Sequence, residues 1–149
     1  MTLNIESIDY EDIETLVRYG IHFWDLTPYK DQFEYNPDTV RDLVTHVADD
    51  HYLRVVRLDG EIVGFIGFLL HPFIFSNLVQ QATEVFFYVH PSYRKDGVGE
   101  ALLQRAEEDM KRIGVDIMAL GDMTSSSDLD KAYRARGFGL SERTYHKAL

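Results

Sequence analysis

Arg94-Lys95-Asp96-Gly97-Val98-Gly99 sets two cations and two glycines immediately before an amphipathic run. Glycine has no Cβ, so the backbone at Gly97 and Gly99 can come close to a ligand. The first N–H groups of a helix have no intrahelical partner, and the positive end of the helix dipole lies in the same place. A phosphate or pyrophosphate is the natural guest of such a start. Arg94 and Lys95 add local positive charge, although a G-x-G before a helix also occurs as a plain tight turn. Just upstream stands His90, and histidine is a residue type suited to proton transfer. The chain has no cysteine, which removes thiolate zinc sites, disulfides and any covalent thiol step. His46 and His51 lack the spacing and the intervening glutamate of a zinc helix, and no metal is expected.

The elements that hold this loop follow from hydrophobic spacing. Leu3, Ile5 and Ser7 alternate as a short strand. Asp9 opens a helix carrying Ile13, Leu16, Val17, Ile21 and Trp24, and Asn36-Pro37 starts a second one carrying Val40, Leu43, Val44 and Val47. Tyr52 to Leu58 and Ile62 to Leu70 flank the turn Asp59-Gly60 as a hairpin, and Thr83 to Val89 is a third strand. A helix with Val98, Leu102, Ala106, Met110 and Ile113 on one stripe then runs to Gly114. Val115 to Leu120 reads as a strand, Ser126 to Arg136 as a helix ending at Gly137, and Thr144 to Leu149 as a terminal strand. The order β-α-α-β-β-β-α-β-α-β describes one mixed α/β domain over residues 1–149.

The loop also resembles a known family. Arg94 to Gly99 matches the R/Q-x-x-G-x-G/A signature of the GNAT superfamily of N-acetyltransferases. Val89-His90-Pro91 with Tyr93-Arg94, then Ala101-Leu102-Leu103, fit its flanking pattern, and Tyr133 to Phe138 matches its Y-x-x-x-G-F segment. Tyr145 and Lys147 resemble its closing strand. Two positions depart: Lys95 stands where a glycine is usual, and Ser125-Ser126-Ser127 where an asparagine is often found.

The resemblance implies a mixed central sheet flanked by helices, with a splayed strand pair that binds acetyl-coenzyme A (acetyl-CoA) as co-substrate. It assigns the pyrophosphate to Arg94, Lys95, Asp96, Gly97, Val98 and Gly99, and the pantetheine arm to the backbone of Phe87 and Val89. Tyr133 matches the position of the family's general acid toward the coenzyme sulfur. Glu84 stands where related sequences often carry an acid that takes the amine proton, and His90 is the other candidate base. Without a cysteine, the acetyl group passes directly to a primary amine of a small molecule, peptide or protein. The alternative reading is an acyl-CoA-binding regulatory or interaction module with little turnover.

With 45% hydrophobic and 27% charged residues the chain of 149 has the composition of a globular protein. Its formal charge of −10 argues against binding along a nucleic-acid backbone. The apolar stretch from Ile62 to Val79 is broken by His71, Pro72, Ser76 and Asn77, so no membrane partner is expected. Met1 to Tyr10 lacks the basic start and apolar run of a secretory signal, and a cytoplasmic location follows. The acceptor side is expected at His22 to Tyr35 and His71 to Gln80, where Phe23, Trp24, Tyr29, Phe33, Tyr35, Phe73 and Phe75 stand near Asp25, Asp31 and Glu34. Aromatic faces and carboxylates suit a cationic amine; packing at a subunit interface, as in a homodimer, is the other use for them. Asp38 and the Asp49-Asp50 pair are expected as caps or solvated charges.

Overall fold

The computed structural model describes residues 2–123 and 127–149. Strands β1 (Asn4–Glu6), β2 (Tyr52–Leu58), β3 (Glu61–Phe73), β4 (Ser76–Val89) and β5 (Ile117–Ala119) form one sheet in that order. Helices α1 (Ile13–Asp25) and α2 (Pro37–Asp50) cover one face. The other face carries α3 (Val98–Ile113), and Tyr133 of α4 (Ser127–Ala135) packs on the same side. No described helix is long and apolar enough to cross a membrane.

Local signals explain the helix ends. A 3-10 turn at Tyr10–Asp12 leads into α1, and the Asp9 N–H donates to Asp12 Oδ2 at 2.8 Å. Asn36 Oδ1 accepts from the N–H groups of Asp38 and Thr39 at 3.0 and 3.2 Å, and Pro37 supplies the fixed φ of the first turn of α2. Gly114 ends α3 with φ of 89°, a left-handed conformation that costs other residues about 1–2 kcal/mol.

Covered on both faces, β3 is buried continuously from Ile62 to Phe68 and therefore reads as an unbroken apolar run. Val63, Ile66 and Phe68 meet Val98, Leu102, Leu103, Ala106 and Met110 of α3. Ile62 and Phe65 meet Leu16, Val17, Val44 and Val47 of the other helical layer. Each large side chain sealed in this way stabilises the fold by about 1.5–3 kcal/mol.

Strands β1 to β4 pair antiparallel, and α3 carries the chain across to β5, which lies parallel to β4. Two irregularities in β4 shape the site. Gly67 pairs with Phe86 but Phe68 pairs with Glu84, so Val85 is an extra residue in a bulge. β5 pairs only Ile117–Ala119 with Gln81–Thr83, so β4 from Glu84 to Val89 has no strand partner on that side.

Three expectations need correction. The expected loop His71 to Gln80 is instead the end of a long hairpin that turns at Ile74 and Phe75. Both strands pair on through this stretch, from Leu69 with Thr83 to Phe73 with Ser76, despite Pro72, which sits at the outer edge where β2 has ended. Thr144 to Leu149 forms no strand: these residues are exposed and pair with no neighbour in the sheet. The strand expected from Val115 to Leu120 is confined to Ile117–Ala119, because the Val115 N–H is used to close the end of α3 on Met110 O at 2.9 Å. Ser125 and Ser126, part of the serine run, lie outside the described residues.

Candidate active site

The unpaired edge of β4 forms one wall. Phe87 and Val89 turn their side chains to the α3 layer, whereas Phe86 and Tyr88 face α1 and α2. Burying the side chains leaves the outward main-chain groups from Glu84 to Val89, apart from the Val89 carbonyl held by Arg94, available to an extended ligand, since a strand edge presents N–H and C=O groups in a row.

The start of α3 closes one end of that edge. Gly97 has φ of 78° with nothing within 4 Å of where a Cβ would stand, so the loop is open there. A Cβ on Gly99 would lie 3.4 Å from Phe87 Cζ and 3.6 Å from Val89 Cγ2, so this glycine seats the helix directly on β4. The helix's leading N–H groups are thereby held beside the free edge. Arg94 Nε donates to Val89 O at 2.9 Å, tying the loop to the strand end. Lys95 and Asp96 are exposed in the same turn, and Val98 is buried beneath it.

Glu84 and Tyr133 meet at the other end. The Tyr133 hydroxyl donates to Gly121 O at 3.1 Å, and the Glu84 carboxylate accepts from the Gly121 backbone N–H. Burial pushes the Glu84 carboxyl up to about 7, opposed by the Gly121 hydrogen bond and aided by the charge of Asp122. Burial, with the nearby charges of Glu84 and Asp122, also pushes the Tyr133 phenol up, so it keeps its proton at neutral pH. The sequence reading missed Gly121 and Asp122, because nothing in their spacing marks a peptide that both side chains share.

His90 has a different setting. Its Nδ1 accepts from the Ser92 N–H at 3.2 Å and caps the 3-10 turn Pro91–Tyr93, with its ring against Tyr19 and Tyr93. On the α1 side, His22 Nδ1 lies 3.3 Å from the Tyr88 hydroxyl, and Tyr19 stacks on Tyr88 with centroids 5.1 Å apart. The aromatics of the α1–α2 connection form a second group: Trp24 lies 6.5 Å from Tyr29 and 6.4 Å from Tyr35. Tyr29 also hydrogen-bonds His146 of the C-terminal segment. Phe73 and Phe75 pair separately at the hairpin tip, 5.6 Å apart. Asp38 pairs with Arg41 at 2.5 Å and Asp49 accepts from the Tyr10 hydroxyl at 3.2 Å, as surface charges do.

A sequence model described as the acetyltransferase (GNAT) family matches residues 13–138, from α1 to just beyond α4. The chain belongs to that family. It is an acetyl-CoA-dependent acetyltransferase, as the members of the GNAT family are. Solved structures agree on the fold. A transcriptional regulator from Bacillus halodurans C-125 superposes with a TM-score of 0.81 at 21% identity, covering 99% of this chain and 100% of its own. Ribosomal-protein-alanine N-acetyltransferase from Brucella melitensis biovar Abortus 2308 gives 0.75 at 17% identity, with 99% of each chain covered. An aminoglycoside acetyltransferase from an uncultured soil metagenomic sample gives 0.73 at 16%, covering 99% of this chain and 95% of its own. No curated protein matches the chain.

The residues present fit the GNAT co-substrate. A Cβ at Gly97 would enter the open space in front of the helix, and one at Gly99 would fill the contact with Phe87 and Val89, leaving no room for a larger side chain. The open edge and the helix start are the shapes that a pantetheine arm and a pyrophosphate require. No group of three or more metal-ligating side chains exists among the described residues.

Proposed function

We propose that this GNAT acetyltransferase moves the acetyl group from acetyl-CoA to a primary amine, with Tyr133 as acid and Glu84 as base. The meeting of Tyr133 and Glu84 at Gly121, beside the open edge of β4, carries this reading. Bound acetyl-CoA supplies an activated thioester. Phe87 and Val89 hold the arm through their main chain, and Gly97, Val98 and Gly99 hold the pyrophosphate with Arg94, Lys95 and the Asp96 backbone beside them. Glu84 takes the proton that the amine must lose as its nitrogen bonds to the acetyl carbon. Tyr133 gives its phenolic proton to the sulfur as the C–S bond breaks. A carboxyl near 7 is part ionised at neutral pH and so able to act as base, whereas a raised phenol remains a donor.

The acceptor in this reading is a cationic amine of a small molecule or peptide, held before attack by Trp24, Tyr29 and Tyr35 with Asp25, Asp31 and Glu34 nearby. A homodimer belongs to the same reading. The hairpin end from Leu69 to Thr83 contains no Asp, Glu, Lys or Arg in a chain of charge −10, and its tip exposes Ile74, Phe75 and Leu78. Such a surface lets two copies meet with little charge repulsion.

Incubation with acetyl-CoA and a panel of polyamines, aminoglycosides, amino acids and peptides, read as free thiol, tests the proposal. Amine-dependent thiol release with an N-acetylated product is expected. Tight coenzyme binding with no release for any amine overturns it.

A further inference from the structure

Asp109 of α3 is 1% exposed, and its carboxylate gathers an unusual set of partners. The Tyr52 hydroxyl donates to Oδ2 at 2.6 Å, and Arg105 Nε lies 3.2 Å from both oxygens. Arg112 Nη2 donates to Oδ1, and Arg54 Nε stands 3.5 Å from Oδ2. Arg54 is held in turn by its Nη1 on Leu53 O at 2.9 Å and by the Tyr52 ring 4.6 Å beneath its guanidinium. Burial alone would raise the Asp109 carboxyl, but Tyr52, Arg105 and Arg54 outweigh it and hold it below the usual range. It is therefore ionised.

Three guanidinium groups then face one carboxylate, a surplus of two positive charges within a chain of charge −10. One arginine would neutralise Asp109, and the three guanidinium groups repel one another. No other acid relieves them: among the described ion pairs, each of the three is paired with Asp109 alone. Glu108, one turn from Arg112, accepts from Gln104, and Glu107 pairs with Arg136. Side-chain exposure rises from 23% at Arg54 through 39% at Arg105 to 66% at Arg112, so the cluster opens outward from a buried base.

We propose that Arg54, Arg105 and Arg112 form a binding site for a phosphate-class dianion, with Asp109 and Tyr52 as the base that orients the guanidinium forks. Planar guanidinium groups match phosphate oxygens in pairs, and two negative charges balance the surplus. The site is separate from the coenzyme loop, since Arg105 and Arg112 lie about 12 and 22 Å along α3 from Gly97. Inorganic phosphate and a phosphomonoester on a small molecule or peptide share this chemistry.

The test titrates the coenzyme A-saturated protein with inorganic phosphate, and in a second arm with a phosphoserine peptide, at constant ionic strength. A saturable rise in melting temperature of about 3 °C is expected in at least one arm, and the arm with the tighter response identifies the source. Arg112→Gln and Arg105→Gln should each weaken that response about tenfold, whereas Lys111→Gln, which removes a charge elsewhere on α3, should leave it. Without phosphate, Arg112→Gln should melt at or above the parent, because it lifts repulsion. The proposal fails if neither arm saturates. It fails equally if the arginine variants respond as the parent does, or if Arg112→Gln merely lowers the melting temperature with the phosphate response intact.

Discussion

Tyr133 and Glu84 meet at one peptide: the phenol donates to Gly121 O at 3.1 Å, and the carboxylate accepts from the N–H of the same residue. The Glu84 charge raises the cost of ionising the Tyr133 phenol, and burial raises the cost of ionising both. The pair thus holds one phenol that stays protonated at neutral pH and one carboxyl poised near neutrality, on the face of β4 that carries α3.

Removing the phenolic oxygen should separate binding from turnover. Tyr133→Phe keeps the ring that packs in the α3-side core and loses one hydrogen bond, for about 1 kcal/mol of stability. Its acetyl transfer should fall about 10²–10³-fold while coenzyme affinity changes little. Steady-state kinetics beside a coenzyme titration measure both, and undiminished turnover removes Tyr133 from the acid role.

Glu84→Gln should alter two pH profiles at once. The carboxyl titrates at 4.5 ordinarily and at about 7 in the folded chain. Below 4.5 both states hold the proton. Between 4.5 and 7 the unfolded state releases it first, so stability falls as pH rises, by about 3 kcal/mol across the window. Glutamine does not titrate, so that fall should vanish from urea unfolding curves taken on either side of the window. The rising limb of kcat/KM near pH 7 should vanish with it. Parent and variant stability curves that stay parallel would contradict the burial of this carboxyl.

The long elements and the glycine loop before α3 were legible because their signals are local. Asn36-Pro37 starts α2, Gly114 ends α3, and Gly97 to Gly99 need only their neighbours to be read. The bulge at Val85 is not local. It depends on Gly67 of β3 lying under the Phe86 ring, where a Cβ would come within 2.2 Å of that side chain. The expected closing strand failed for a related reason: Thr144 to Leu149 resembles a strand in sequence, but a strand also requires an edge to pair with, and these residues stand exposed, with His146 engaged on Tyr29. Arg54, Arg105, Arg112 and Asp109 carry no motif, since β2 and α3 meet only in the fold.

Gly99 should tolerate only the smallest addition. Alanine would make ordinary contact with Phe87 at 3.4 Å, so Gly99→Ala should bind coenzyme A nearly as the parent does. Valine would push the start of α3 off Phe87 and Val89, and coenzyme affinity should fall about tenfold or more, at a stability cost of about 1–3 kcal/mol. Gly97→Val should lose about 1–2 kcal/mol through its left-handed φ of 78° alone. Calorimetric titration with coenzyme A, beside melting curves, separates the two positions, and full affinity in Gly99→Val would remove the helix seat from the binding account.

Asp109→Asn should be the most damaging single exchange on α3. It leaves Arg54, Arg105 and Arg112 without their carboxylate at a buried position, and it weakens the acceptor of the Tyr52 hydroxyl. Breaking a buried pair by removing one partner costs about 3–5 kcal/mol. Tyr52→Phe alone should cost about 1–2 kcal/mol, and the double variant should lose less than the sum, because the 2.6 Å hydrogen bond is already removed or weakened in each single variant. Urea unfolding of the four proteins gives the coupling. Strict additivity would mean that Tyr52 orients nothing at Asp109, and the base of the arginine cluster would then rest on Asp109 alone.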